Sequence, residues 1–165
     1  VYIRTLKLED FARRSFPFLE DGLPPDVKRP LSMEYVQEVM PLFQERVKLL
    51  TEVPKLTVYF FGDRLEYNAS LLISKGMTAE STRRALAVAK ERLEKLPGFD
   101  AQSLEAMLRP LAEELKLKTG QLFGALRTAV SGETATPPLF QMMAVLGRER
   151  CLERIENATH RLMTL

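Results

Sequence analysis

The sequence predicts an all-α protein of two packed helical subdomains, of the helix-bundle or cage type, joined by short loops. In several segments, apolar residues recur at the three- and four-residue spacing of a buried helix face. Capping residues precede these segments, and prolines or glycines follow them. Only residues 57–61 have the composition of a strand, and a single strand would have no partner for pairing. Together these observations favour helices throughout.

The N-terminal part of the chain predicts two helical segments separated by a loop. The first covers residues 8–20, with Pro17 disturbing it, and the proline-rich residues 22–30 form the loop. Ser32 is placed to cap the second segment, which runs to about residue 52. Pro41 lies inside that segment, so it is either one kinked helix or two abutting helices.

The run at residues 57–61, Thr-Val-Tyr-Phe-Phe, is interpreted as a helix or as an irregular hydrophobic plug. Turn-forming residues follow it, which indicates a boundary. We therefore predict a first helical subdomain at residues 1–66 and a second at residues 67–165.

The second subdomain is predicted to hold a series of amphipathic helices. They cover residues 78–96, 100–115, 119–131 and 152–162. Thr78 begins the first of them and Asp100 caps the second. Pro110 lies inside the second helix, where it would bend it.

Composition narrows the class of protein. With 165 residues, 45% of them hydrophobic, the chain can bury a core in one large or two small domains. The net charge of +2 neither requires nor excludes a nucleic-acid partner. The single cysteine fits a reducing, cytoplasmic location, and one cysteine with one histidine predicts no metal site. No apolar run reaches the roughly 20 residues of a membrane helix, so no membrane partner is expected.

No group of side chains predicts catalysis. The chain has neither a P-loop nor a GxGxxG segment. Its one histidine, His160, lies near the end of the last predicted helix, where a solvent-facing position is expected. We therefore assign no catalytic residue.

The helix at residues 119–131 has two unequal faces. One carries an apolar stripe, and the other carries Gly120, Gly124, Arg127 and Ser131 at helical spacing. A glycine inside a helix costs about 1 kcal/mol relative to alanine, so we expect close approach of another group at this face. In the polar loop that follows, Thr136 is predicted to cap the next helix, with a proline at its first position.

The end of the chain resembles a known family. Residues 124–140, GALRTAVSGETATPPLF, and residues 143–155, MAVLGRERCLERI, stand in order. They closely resemble the PLR-x-A-x-(T/S)-G, (T/S)-P-x-L-F and LG-(K/R)-ER segments that end bacterial-type glutamyl-tRNA synthetases, which are class I aminoacyl-tRNA synthetases. The opening Val-Tyr-Ile-Arg, at residues 1–4, is similar to the (K/E)YIR segment after that family's nucleotide-binding domain.

The resemblance implies that the chain is the C-terminal anticodon-binding region of such an enzyme. The start at Val1, without methionine, is interpreted as the start of a fragment. The HIGH-like and KMSKS-like blocks that mark the family's ATP site are missing from this sequence. ATP and Mg are therefore expected in a separate catalytic domain, and no cofactor is expected in this fragment.

The resemblance also implies a partner, the anticodon loop of tRNA-Glu, bound by a monomer. Sequence-specific RNA recognition usually reads unstacked loop bases. The positions that match RNA-contacting positions of the family are Arg109, Arg127, Thr136 and Leu139. Lys116 and Lys118 are expected to contact phosphates. The alternatives left open are a carbonyl-capping arginine at 127, a pure N-cap at 136 and a core side chain at 139.

Arg46 matches the family's arginine that inspects the third anticodon base. Glutamate anticodons end in C and glutamine anticodons end in G. A guanidinium donates to O2 and N3 of cytosine, whereas guanine presents N–H donors at the corresponding edge, and unpaired buried donors cost about 1–3 kcal/mol. Arg46 therefore predicts an enzyme of the discriminating type. The alternative is an ordinary surface pair with Glu45.

Two other functions stay open. One is a relaxed enzyme that accepts both tRNA-Glu and tRNA-Gln, which only the neighbourhood of Arg46 separates from the discriminating type. The other is a helical protein–protein adaptor, which would show an exposed apolar patch and no salt-dependent affinity for RNA.

Overall fold

The computed structural model describes residues 3–165 and confirms the all-α prediction, since this part of the chain contains helices and no strand. Val1 and Tyr2, which open the segment similar to (K/E)YIR, lie outside the described residues. Packing divides the chain into two compact units, Val1–Leu65 and Glu66–Leu165.

From residue 3 onward, the first unit has three α-helices, α1 at Leu8–Gly22, α2 at Met33–Val39 and α3 at Val53–Phe61. Short 3-10 turns lie at Ile3–Thr5, Met40–Leu42 and Leu50–Glu52. Helix α1 continues through the exposed Pro17 and packs against both α2 and α3. The core of this unit includes the rings of Phe11, Phe43 and Phe60, all of them fully buried.

The predicted helical stretch from Ser32 to residue 52 is wrong over its second half. The hydroxyl of Ser32 does accept a bond from the Tyr35 amide, at 3.3 Å. Helix α2 nevertheless ends at Val39, a short 3-10 turn at Met40–Leu42 follows it directly, and turns occupy residues 43–46, so no helix continues from Pro41 to residue 52. Proline lacks an amide hydrogen for the helical ladder, and Gln44 instead ties the turn to the N-terminal segment.

Residues 57–61 lie inside α3, so the helical alternative for this run is confirmed. Val53, Thr57 and Phe60 are buried at helical spacing. The hydroxyl of Thr57 donates to the carbonyl of Val53 at 2.7 Å, which satisfies a hydroxyl that burial removes from water. β-Branched and aromatic residues form a helix here because the core of the unit takes up their bulk.

The second unit has five α-helices, α4 at Ala79–Lys95, α5 at Ala101–Glu114, α6 at Thr119–Ser131, α7 at Leu139–Leu146 and α8 at Arg148–Met163. The packing of α4 on α8 is the most extensive, α6 also packs on α8, and α5 packs on α7. The predicted cap Asp100 is confirmed, since its carboxylate accepts from the Ser103 amide at 2.8 Å. Thr78, predicted to begin α4, lies just before the helix and caps it by accepting from the Ser81 amide at 3.1 Å. Helix α5 continues through the exposed Pro110.

Helix α5 ends in a left-handed residue that is not glycine. Lys116 has a φ of 59°, and it is the only non-glycine residue with positive φ in the part of the chain that the structure describes. The amides of Lys116 and Leu117 donate to the carbonyls of Glu113 and Ala112, which closes the helix in the pattern usually built on glycine. A left-handed conformation costs an L-residue about 1–2 kcal/mol, so lysine destabilises the fold at this position relative to glycine.

The described part of the chain has neither a membrane-spanning helix nor a cluster of metal ligands. Among residues 3–165, no helix has the length and apolar character needed to cross a membrane. Within the same residues, no three His, Cys, Asp or Glu side chains lie close enough together to hold a metal ion.

Candidate nucleic-acid interface

The guanidinium of Arg127 is held in place by the loop between α6 and α7. Its Nε donates to the hydroxyl oxygen of Thr136 at 2.9 Å, and that hydroxyl donates to the carbonyl of Pro137 at 2.8 Å. Among residues 3–165, the two terminal nitrogens of Arg127 have no hydrogen-bond partner. The half-buried side chain therefore presents donors at a fixed position, which is the arrangement needed to bind a planar acceptor edge.

The predicted capping role of Thr136 is wrong. Helix α7 begins at Leu139, and Pro138 occupies the capping position without a side-chain bond. A residue that precedes a proline is disfavoured in helical conformation, so Pro138 excludes Pro137 from the first turn. Thr136 is thereby released from capping and bonds Arg127 instead.

The glycine-bearing face of α6 is only partly open. A Cβ on Gly124 would lie 3.0 Å from the hydroxyl of Ser74, so the close approach expected here is made by the chain itself. Ser131 is buried, and its hydroxyl donates to the carbonyl of Arg127 at 2.6 Å. A Cβ on Gly120 would meet no atom of the described chain within 4 Å, so this end of the face is open.

Replacing Gly120 with alanine is expected to stabilise the protein by about 0.5–1 kcal/mol, because alanine loses less backbone entropy in a helix and meets no obstacle. Gly124→Ala is expected to gain less or to destabilise, since its new methyl group would press on Ser74. Thermal unfolding of the two variants measures the difference. Equal gains at both positions would contradict the close contact at Gly124.

Two aromatic rings continue the surface beside Arg127. Phe123, one turn before Arg127 on α6, packs edge-to-face on Phe140 of α7 with ring centroids 5.2 Å apart. The guanidinium carbon of Arg109 lies over the Phe123 ring, 5.5 Å from its centroid, and Glu105 accepts from Arg109 at 2.7 Å. Both rings are half-buried, so part of each remains accessible.

The structure thus brings four of the predicted residues into one region of the second unit. Arg109 reaches α6 through Phe123, and Arg127 bonds Thr136. Leu139, the neighbour of Phe140, is 4% exposed and packs in the core, which is the alternative considered for it; its contact with RNA stays a prediction. Lys116 and Lys118 are exposed in the turn just before α6.

Arg46 lies in the other unit, in the turn at residues 43–46. The helical position predicted for it is wrong. The buried neighbours Phe43 and Val47 anchor the turn, while Arg46 is exposed. The alternative of a Glu45–Arg46 pair is also wrong, because the Glu45 carboxylate lies 3.6 Å from Arg4. No ion pair of Arg46 exists among residues 3–165.

A comparison with protein families matches residues 10–159 to the anticodon binding domain. The chain belongs to this family. The glutamate–tRNA ligase of Dehalococcoides mccartyi strain CBDB1 is 51% identical over 162 residues, which cover 98% of this chain and 33% of that protein. The glutamate–tRNA ligase of Roseiflexus castenholzii is 45% identical over 159 residues, 96% of this chain and 31% of the relative. The chain therefore spans about a third of the length of these relatives.

A solved structure supports the fold of this anticodon-binding domain. The crystal structure of a glutamate tRNA ligase from Elizabethkingia meningosepticum, in complex with its amino acid, matches with a TM-score of 0.79. The match covers 96% of this chain and 30% of that one, at 20% sequence identity. This match confirms the predicted all-α fold. The prediction of the family from spaced sequence blocks is confirmed by the family match and by the glutamate–tRNA ligase relatives.

Sequence reasoning does not single out Phe123 and Phe140 as part of this region. In the sequence, Phe123 belongs to the apolar stripe of its helix, where a core position is the natural expectation. Helical spacing does not distinguish a ring at the centre of an apolar stripe from a half-buried ring at its edge. An arginine one turn away, as Arg127 is from Phe123, is the signal that would have pointed to the edge.

Proposed function

We propose that the chain is the anticodon-reading part of a glutamate–tRNA ligase and that it binds the anticodon loop of tRNA-Glu. The single observation that carries this proposal is the guanidinium of Arg127, which Thr136 orients while its terminal nitrogens have no partner among residues 3–165. The complete enzyme would attach glutamate to the tRNA in the cytoplasm, as a monomer, with ATP and Mg bound in a catalytic part outside these residues. Membership of the anticodon-binding family and relatives that are glutamate–tRNA ligases support it.

In this proposal the chain recognises RNA through non-covalent contacts alone and catalyses no reaction. An unstacked anticodon base packs against the accessible part of the Phe123 and Phe140 rings, a contact that does not depend on which base is present. Arg127 then selects among bases by donating two parallel hydrogen bonds to an acceptor edge. Thr136 keeps the guanidinium in place, so little side-chain entropy is lost on binding.

We further propose that Arg46 reads the third anticodon base and makes the enzyme discriminating. The turn that carries Arg46 is fixed by the buried Phe43 and by the Gln44 amide, which donates to two carbonyls at 2.9 and 2.8 Å. The guanidinium is exposed, and no carboxylate competes for it among the described residues. An unpaired cation on a fixed turn suits the acceptors of cytosine and opposes the donors of guanine.

The proposal is tested with two anticodon stem-loops that differ only in C or G at the third anticodon base. The chain is expected to bind the C form about 5- to 150-fold more tightly, and Arg46→Ala is expected to erase this preference. Fluorescence titration at two salt concentrations gives both affinities. Arg13→Ala is the matched control, because Arg13 is an exposed arginine of the same unit whose one ion pair among residues 3–165 is with Asp10.

Each other outcome contradicts part of the proposal. Equal binding of the C and G forms by the parent chain would favour a relaxed enzyme that accepts tRNA-Glu and tRNA-Gln. Absence of binding to either stem-loop and to the whole tRNA at low salt would favour the helical adaptor.

A further inference from the structure

The second unit also contains a groove that does not involve Arg127 or the two phenylalanine rings. This groove, of about 500 Å³, opens between the first turns of α4 and the turn that follows α5. Its charged lining consists of Glu80 and Arg84 from α4, and Glu114 and Lys116 from the end of α5. No residue of the proposed base-reading site lines it.

The groove has more unpaired positive than negative charge. Glu114 is neutralised by Arg92, which reaches its two oxygens at 2.7 and 3.1 Å and lowers the pKa of that carboxyl. The side-chain cations of Arg84 and Lys116 have no carboxylate or carbonyl partner among residues 3–165. Within the same residues, Glu80 is left as the one unpaired carboxylate lining the groove against two unpaired cations.

The backbone at Lys116 gives a second, independent reason to look here. Its φ of 59° is a conformation in which glycine would close α5 with the same two backbone bonds and without strain. Strain of this kind persists where a side chain is needed for another purpose. Lys116 belongs to the groove lining, so the residue that carries the strain also supplies the charge.

We propose that this groove binds a phosphate of the RNA backbone, with Arg84 and Lys116 as its two cationic contacts. The inference rests on the proposed binding of RNA and adds a site to it. Lys118 and Gly120 follow Lys116 in the chain, at the start of α6, and Arg127 lies about 13 Å beyond Lys118 along this helix at a rise of 1.5 Å per residue. A separation of this order corresponds to a few nucleotides of one strand, so an RNA loop that contacts Arg127 can also reach the groove. The contact positions the strand without reading its sequence.

The test uses Lys116→Gly and Arg84→Gln in the 165-residue chain, titrated with the anticodon stem-loop at several salt concentrations. Each variant is expected to lose about three- to tenfold in affinity at low salt, and its slope of log K against log salt is expected to fall by about 0.7–0.9. The preference among anticodon bases is expected to stay unchanged. Lys116→Gly is also expected to unfold at the same temperature as the parent chain or up to about 4 °C higher, because glycine relieves the strain.

Lys95→Gln is the matched control, since Lys95 is an exposed α4 lysine outside the groove lining whose one ion pair in the described part of the chain is with Glu91. Undiminished RNA binding by both groove variants, while Arg127→Ala still weakens it, would overturn the groove and leave the proposed function standing. A lower unfolding temperature for Lys116→Gly would make Lys116 a structural residue. Inorganic phosphate could instead raise the unfolding temperature of the parent chain but not that of Lys116→Gly, while the RNA affinity of the variant stays unchanged. That result would mean that the groove binds a free anion and not RNA. Failure of the parent chain to bind any RNA would remove both proposals.

Discussion

Arg127→Ala is expected to lower the affinity of the chain for the anticodon stem-loop by about 5- to 150-fold. A bidentate contact between an arginine and a base edge contributes about 1–3 kcal/mol, and each 1.4 kcal/mol is a factor of ten. Thr136 already holds Nε of Arg127 at 2.9 Å, so the guanidinium is oriented before RNA arrives. The loss should therefore appear mainly as faster dissociation, which surface plasmon resonance measures directly.

Two neighbouring variants separate charge from geometry at Arg127. Arg127→Lys keeps the positive charge and loses the planar fork, so it is expected to retain part of the affinity and to lose the base preference. Thr136→Val keeps the approximate shape of Thr136 and removes the oxygen that Nε bonds, so it is expected to fall between the parent chain and Arg127→Ala. Arg13→Ala should leave binding unchanged. Loss of the same size in Arg13→Ala and Arg127→Ala would mean that only general charge attracts the RNA.

Phe60→Ala is expected to destabilise the protein by about 3–5 kcal/mol. The ring is fully buried, and its centroid lies 5.7 Å from that of Phe43 in an edge-to-face contact and 4.9 Å from that of Tyr59. Removing it loses the transfer free energy of the ring and leaves a cavity that the packed helices close only in part. Urea unfolding followed by circular dichroism measures the change.

Phe61→Ala is the matched comparison for Phe60→Ala. Phe61 is the next residue of α3 but is half-buried, and its ring meets that of Tyr35 edge-to-face with centroids 5.6 Å apart. Its replacement is expected to cost about 1 kcal/mol, the typical loss for a residue that keeps partial contact with water. Equal losses for the two variants would contradict the helical face that buries Phe60 and leaves Phe61 at the edge.

The sequence by itself determined several helices of the second unit and the residues that cap α4 and α5, although not the cap of α7. Thr78 and Asp100 bond the amides three residues later, and α6 has the predicted bounds. These features are local, because a side chain and a backbone amide within one turn meet wherever the helix lies. The family could also be predicted from the sequence, since several spaced blocks of residues match in order.

Only the tertiary structure decided which residues stand together. Residues 43–46 form a turn because Phe43 is buried and Gln44 bonds carbonyls at the distant N-terminal segment. Thr136 bonds Arg127 nine residues away once the loop between α6 and α7 has folded back. Helical periodicity describes one element at a time, whereas the contacts of Arg127 and Phe123 depend on the packing of three helices. For this reason the candidate residues could be named from the sequence, but the orienting role of Thr136, the aromatic pair and the groove could not.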